Sequence, residues 1–432
     1  MIKKKKVKKS KKTVAIIGLG YVGLPLACLC DEKGYKVYGI GRDISKIKKI
    51  NKQISPIQDK ELNEWIKKTK IEATKDYSVI KKTDIVVVCV PTPVDKYYNP
   101  DLKQVITATE GIRRNLRKGH LIIMESTVNP GVCEEVMLPI LKKSGLKEGR
   151  DFDLAHCPER INPGDPKWNV RNIPRCVGAY SKIGLNKAVK FYRNILEAEI
   201  RPMKSLKEAE ATKIIENAFR DVNIAFVNEL AKSFEKLGID LIDVIKGAST
   251  KPFAFMPHWP SCGVGGHCIP VDPYYLIERA KLSGFDHKFL KLAREINNSM
   301  PSYTIEKLKD ALNQLQKSVK GSKIGVLGLS YKANIGDIRE SPSLKIIKLL
   351  NEQEAKIEVY DPFFPEKSTA KNLDEFLKKV EAVIIATDHA EFVKMDLGKL
   401  KKNKIKAVVD GKNCLDREKI LKLGIIYKGI GR

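Results

Sequence analysis

The chain has 432 residues, enough for two or three domains with buried cores. A composition of 43% hydrophobic and 31% charged residues argues against global disorder. No apolar run approaches the roughly 18 residues of a membrane span, and none follows the basic N-terminus as in a secretory leader. The net charge of +28 would suit nucleic acid, a membrane surface or acidic substrates. A lysine-rich proteome, with the tail a solvated arm, is the plainer explanation, and no nucleic-acid-binding signature accompanies the charge. The nine cysteines are scattered without a CxxC pair, so reduced thiols and a cytoplasmic protein are expected, with no metal site.

Residues 1–12 carry eight lysines and read as a disordered basic tail. Residues 13–18 (TVAIIG) predict a buried strand, 18–23 a glycine turn and 24–33 a helix. Strands follow at 36–40 (KVYGI), 84–90 (DIVVVCV) and 120–125 (HLIIME), the second of these halted by Pro91 and Pro93. Helical spacing without Pro or Gly predicts one long helix over 205–237, a spine whose apolar faces serve either a dimer or an intramolecular core. Strands restart at 323–328 (KIGVLG), 356–360, 382–386 and 407–410. The fold class expected is α/β: two Rossmann-like, doubly wound parallel-sheet domains joined by a long helix and a helical middle. The divisions are 13–204 for dinucleotide binding, 205–300 for the middle and 301–432 for the C-terminal domain.

Gly18-Leu-Gly20-Tyr-Val-Gly23 fits GxGxxG after a strand and at a helix start. Gly18 permits the turn, Gly20 lets backbone approach a pyrophosphate, and Gly23 lets helix and strand pack closely. The helix N-terminus adds unpaired N–H groups for an anion. The acid expected about 20 residues on, for the adenosine ribose, is missing. Gly41 stands there, followed by Arg42 and Asp43. Two readings stay open: Arg42 meets the 2′-phosphate of NADP, or Asp43 takes the ribose of NAD.

Residues 263–273 (GVGGHCIPVDP) form a second glycine-rich loop, whose glycines admit close approach to a ligand. Pro270 suits the first turn of a following helix, which would place Cys268 near a helix N-terminus that favours thiolate. Asp272 would lie one turn on. A thiol with a carboxylate nearby suggests covalent redox catalysis, against the alternative of a buried structural cysteine. Lys213 and Asn217 are spaced i, i+4 on the long helix, with Asn228 three turns beyond; they suit an oxyanion or form an ordinary solvated stripe.

In order and spacing these segments resemble the UDP-glucose/GDP-mannose dehydrogenase family. The resemblance rests on GLGYVGLPLA at 18–27, VPTP at 90–93, EST at 125–127, PERINPGD at 158–165, EATKIIENAFRDVNIAFVNELA at 210–231, GVGGHCIPVDPYYL at 263–276, GLSYKANIGDIRESPS at 328–343 and YDP at 360–362. It implies four-electron oxidation of a nucleotide-sugar C6 alcohol to a carboxylate, by way of a thiohemiacetal and a thioester. Cys268 would be the nucleophile. Lys213 and Asn217 would steady oxyanions, and Asp272 would support water activation and orient the lysine. Glu159 would serve thioester hydrolysis, and Thr127 the active-site water.

The same resemblance puts Tyr21, Val22, Lys46, Thr92, Thr127 and Arg339 with Gly18, Gly20 and Gly23 on the cofactor side. It puts Arg160, Ile161, Lys213, Asn217, Arg220, Gly265, Tyr331 and Lys332 at the nucleotide sugar. It further implies a homodimer and polysaccharide-precursor synthesis; the missing nucleic-acid signatures and apolar spans lead to the expectation of no nucleic-acid or membrane partner. Departures are Gly41 for the ribose aspartate, Cys157 for serine before Pro158-Glu159, and Ser261-Cys262 for Gly-Pro. The stretch KPFAFMPHWP at 251–260 looks like the branch acting on UDP-N-acetylhexosamines, with UDP-N-acetylglucosamine ahead of UDP-N-acetylmannosamine and UDP-glucose. Two competing classes are a two-electron hydroxyacid-type dehydrogenase and a nonenzymatic nucleic-acid-binding protein.

Overall fold

A computed structural model describes residues 12–57, 59–95, 98–161 and 167–432. The lysine-rich stretch 1–11 and residues 162–165 of the PERINPGD segment lie outside the described residues. The chain divides into two compact units, Met1–Glu216 with Tyr274–Ser283, and Asn217–Pro273 with Gly284–Arg432.

The first unit is built on eight strands: β1 (Thr13–Ile17), β2 (Lys36–Ile40), β3 (Glu72–Thr74), β4 (Ile85–Val88), β5 (Leu121–Met124), β6 (Asp153–His156), β7 (Arg175–Ala179) and β8 (Ile200–Pro202). Their order is β3-β2-β1-β4-β5-β6-β7-β8. The near-continuous apolar runs follow from burial on both faces. Val14 and Ile16 of β1 enter one core, and Ala15 and Ile17 the other. The expected parallel sheet holds from β3 through β6, but β7 runs antiparallel to β6. Among the described residues between those two strands there is no crossover helix, which a parallel pair would need.

The second unit carries β9 (Lys323–Leu327), β10 (Lys356–Tyr360), β11 (Ala382–Ile385), β12 (Ala407–Asp410) and β13 (Ile426–Gly429). All pairs are parallel, in the order β10-β9-β11-β12-β13. Again alternate residues split between two cores: Val383 and Ile385 on one side, Ala382 and Ile384 on the other.

The long helix spans Leu206–Lys236, and a second long helix spans Lys288–Gln314. Within the second unit the two share a buried polar network. Arg294 Nη1 donates to Asp221 Oδ1 at 2.5 Å, and Asn297 Nδ2 donates to the same oxygen at 2.8 Å. Asn228, read from spacing as part of a polar stripe, is fully buried and donates to Asn297 Oδ1 at 2.9 Å. Among the described residues no helix is long and apolar enough to cross a membrane.

Candidate active site

In the first unit the glycine turn leaves β1 as the fingerprint requires. Gly18 has φ +97°, and a Cβ there would stand 2.4 Å from the carbonyl oxygen of Cys89. A Cβ on Gly23 would stand 1.9 Å from the carbonyl oxygen of Gly18, so helix and turn touch through bare backbone. Gly20 differs: nothing lies within 4 Å of the position its Cβ would take. Packing therefore accounts for the outer glycines, while the middle one opens onto space at the start of helix Gly23–Glu32. That helix has no acidic residue in its first turn to oppose an anion. Tyr21 beside it is exposed, and Val22 is the N-cap. The cradle fits a dinucleotide pyrophosphate.

At the end of β2, Asp43 is spoken for. It N-caps helix Ile44–Asn51, its Oδ1 accepting the N–H of Lys46 at 3.1 Å. Arg42 is exposed and donates to Gln104 Oε1 at 3.0 Å. Thr92 donates its hydroxyl to the carbonyl of Thr127 at 2.7 Å, and its own carbonyl accepts from the Tyr275 hydroxyl. The loops after β4 and β5 are thus tied together, both at the C-terminal edge of the sheet where ligands bind doubly wound folds.

Glu159 is buried after β6. Its Oε1 accepts the N–H groups of Arg160 and Ile161 at 2.6 Å each. Arg160 in turn pairs with Glu216 at 2.5 Å and donates to the Pro174 carbonyl at 2.9 Å. Lys213 is half-buried on the long helix, one turn before Asn217.

The second unit holds Asn217, Arg220, Gly265, Cys268, Asp272, Tyr331, Lys332 and Arg339. Asn217 and Asp272 are both buried and bonded, Asn217 Nδ2 donating to Asp272 Oδ2 at 2.6 Å. The expectation that Pro270 opens the helix is corrected: the helix begins at Asp272 and spans Asp272–Leu282. Pro273, lacking an N–H, takes the first-turn place instead. Cys268 sits on the turn before, its carbonyl accepting the N–H of Val271 at 3.1 Å and of Asp272 at 2.8 Å. Cys268 is exposed and in no disulfide.

The glycines of this loop also meet protein. A Cβ on Gly265 would stand 2.6 Å from the Cβ of Tyr331, and one on Gly266, at φ +90°, 2.8 Å from the Tyr331 ring. The Gly266 N–H donates to the carbonyl of Arg339 at 2.9 Å, and the Tyr331 N–H to that of Asp337 at 3.0 Å. Burial pushes the Tyr331 hydroxyl up to about 12, Asp337 and Cys268 adding to it. Arg339 forms a forked pair with Asp337 at 3.0 and 2.6 Å.

Sequence reasoning missed two buried sets. One supports the loop after β9. Asp361 Oδ2 accepts from the N–H groups of Leu329 at 2.6 Å and Ser330 at 2.9 Å, and from His389 Nε2 at 3.1 Å. His389 Nδ1 accepts the Asn334 N–H at 2.9 Å, so the ring proton lies on Nε2. Burial works against the Asp361 carboxylate, yet these donors hold it well below its usual range. The other set is Arg175 with Glu125 and Glu159, where Arg175 reads in sequence as one more surface cation. Cys133, His156 and Glu210, all buried, lie within 4.8 Å of one another, but the Glu210 carboxylate is taken by the N–H groups of Gly131 at 2.5 Å and Cys133 at 2.9 Å.

Comparison with known proteins bears on all of this. Residues 12–196 match the NAD binding domain of the UDP-glucose/GDP-mannose dehydrogenase family, 207–299 its central domain and 325–417 its UDP binding domain. The chain is 34% identical to a UDP-N-acetyl-D-mannosamine dehydrogenase of Pyrococcus horikoshii, over 97% of this chain and 99% of that one. It is 36% identical to a UDP-N-acetyl-D-glucosamine 6-dehydrogenase of Pseudomonas aeruginosa, over 94% and 98%. The solved structure of a UDP-D-ManNAc dehydrogenase from Pyrococcus horikoshii superposes with a TM-score of 0.91 at 34% identity, covering 97% of this chain and 99% of that one. A dinucleotide cradle, an exposed cysteine on a glycine loop and three consecutive domain matches converge: this chain belongs to the UDP-glucose/GDP-mannose dehydrogenase family.

Proposed function

We propose that the chain is an NAD-dependent 6-dehydrogenase of a UDP-N-acetylhexosamine, with UDP-N-acetylglucosamine as the first choice. The observation that carries the reading is Cys268: exposed, on a tight turn whose helix opens with Asp272, which is bonded to Asn217, in a chain that also holds the open Gly20 cradle. Residues 13–204 hold the dinucleotide, 205–300 present the cysteine loop, and 301–432 take the UDP moiety, where basic residues suit a pyrophosphate. The strand order of the second sheet places its switch point between β9 and β11, so the loop bearing Tyr331 and Lys332 lies at the edge where such sheets bind ligands.

Bound NAD supplies the hydride acceptor, twice per sugar. Lys213 takes the proton from the C6 hydroxyl as the first hydride leaves, giving an aldehyde. Cys268 Sγ adds to the aldehyde carbon, and Lys213 with Asn217 steadies the oxyanion of the thiohemiacetal. Loss of the second hydride gives a thioester. Asp272 holds Asn217 in place, and Glu159 and Thr127 serve the water that releases the uronate. Tyr21, Val22, Lys46 and Thr92 line the cofactor side with Arg339; Arg160, Ile161, Arg220, Gly265, Tyr331 and Lys332 line the sugar side. With Asp43 engaged as a helix cap, the exposed Arg42 leaves NADP as a second cofactor, Arg42 meeting its 2′-phosphate.

The Pyrococcus relative favours UDP-N-acetylmannosamine as a second substrate reading. The enzyme works as a cytoplasmic homodimer without nucleic-acid or membrane partners and feeds polysaccharide-precursor synthesis. A panel of UDP-N-acetylglucosamine, UDP-N-acetylmannosamine and UDP-glucose with NAD or NADP, reading reduced nicotinamide and sugar acid, tests it. Two reduced cofactors per uronate are expected. One per sugar would establish a two-electron enzyme instead, and none would remove the reading.

A further inference from the structure

The buried charges of the first unit form a cluster that the mechanism above leaves without a task. Arg175, the first residue of β7, is wholly buried. Its Nη1 donates to Glu125 Oε1 at 2.9 Å, and its Nη2 stands 2.7 Å from Glu159 Oε2. The second contact is an ion pair out of hydrogen-bond alignment: neither Nη2 nor Oε2 has an aligned partner. Glu159 Oε1 is saturated differently, by the N–H groups of Arg160 and Ile161. Glu125 is faced by Cys89 after β4, with Sγ 3.7 Å from Oε2, by Cys30 of helix Gly23–Glu32, by Cys157 and Glu159 after β6, and by Tyr192 of helix Lys182–Ile195.

One guanidinium thus faces two carboxylates away from water. Two negative charges against one positive are costly in such a place. The two carboxylates differ in their other partners: Glu159 accepts two backbone N–H groups, whereas the further neighbour of Glu125 is a thiol. Burial pushes the Glu125 carboxyl up to about 8, against the pull of Arg175 and with the push of Glu159.

We propose that Arg175 and Glu125 are positioning residues for thioester hydrolysis: Arg175, anchored by Glu125, fixes the Glu159 carboxylate in the place from which it serves the water, and Glu125 carries the proton of the cluster. This rests on the dehydrogenase reading above. In the step served, the water oxygen bonds to the thioester carbonyl carbon and one water proton passes to the Glu159 carboxylate. The carbon–sulfur bond breaks and its electron pair stays on Cys268 Sγ. The products are the sugar carboxylic acid, the Cys268 thiolate and protonated Glu159, which returns its proton to solvent.

The test uses the full chain with NAD and whichever of UDP-N-acetylglucosamine or UDP-N-acetylmannosamine the wild type oxidises. Quenched reactions are read by intact mass for sugar bound to Cys268, alongside single-turnover hydrolysis across pH 6–9. In Arg175→Lys the acyl adduct should accumulate and hydrolysis slow about tenfold or more, with KM for the UDP-sugar and the first hydride transfer near wild type. In Glu125→Gln the inflection near pH 8 in the wild-type hydrolysis profile should vanish. If Arg175→Lys does not fold, the Glu125→Gln profile decides alone. Wild-type hydrolysis and profile in folded variants overturn the proposal, as do equal losses in binding, both hydride transfers and hydrolysis. A wild type that never forms the adduct overturns the dehydrogenase mechanism, and this proposal with it.

Discussion

Cys268 stands apart from the other cysteines in its surroundings. Seven are buried and Cys414 is half-buried, while Cys268 is exposed. Burial pushes the Cys28 thiol up to about 12 and drives those of Cys30, Cys89 and Cys133 upward as well. A thiol so raised is a poor nucleophile at neutral pH, which concentrates sulfur chemistry on one residue. Cys268→Ala should therefore lose uronate formation by on the order of 10^3-fold or more, since no other thiol can replace it. The measurement is uronate by chromatography under saturating UDP-sugar and NAD; near-normal yield would discard the covalent route.

At this scale the cysteine was legible because its neighbours in sequence are distinctive. Arg175 and Glu125 were not. Each is an ordinary charged residue on a strand or just after one, and they meet only because β5 and β7 flank β6. A pairing across 50 positions leaves no mark in a single sequence.

Among the elements, the strands with unbroken apolar runs were readable, since burial on both faces of a parallel sheet imposes that pattern. The short strands β3 and β8 carry three residues each and no such run, so nothing announced them. The reversal at β7 was also hidden, because strand direction depends on the connection and not on side-chain alternation. The two glycine loops look alike in sequence yet work differently. In the first, an open position remains at Gly20; in the second, Gly265 and Gly266 let Tyr331 lie against bare backbone. Gly266→Ala should therefore destabilise the protein, by about 1–3 kcal/mol for the positive φ alone, and further through the Tyr331 ring. Gly20→Ala should leave stability nearly unchanged while weakening NAD binding. Urea midpoints of the two variants check the first half and NAD titration the second; a stable Gly266→Ala would mean that the Tyr331 loop yields freely.

For the whole molecule, the long helices expose more apolar surface than a lone subunit tolerates comfortably. Phe219 and Phe226 are 48% and 56% exposed, two turns apart on helix Leu206–Lys236. Phe289 and Leu292 are 67% and 50% exposed on helix Lys288–Gln314. Large rings repeated on one helix face mark a surface that is covered in use, and a second copy of the chain is the cover that the homodimer reading supplies. In a twofold pair each substitution acts twice. Phe226→Glu would remove about 1.5–3 kcal/mol of burial per subunit and place like charges near the axis, weakening association roughly 10^2–10^4-fold. Sedimentation across a dilution series should show a dimer for the wild type and a monomer for Phe226→Glu at micromolar concentration. A wild type that stays monomeric at tens of micromolar would remove the homodimer, and an unaltered dimer in the variant would move the interface elsewhere.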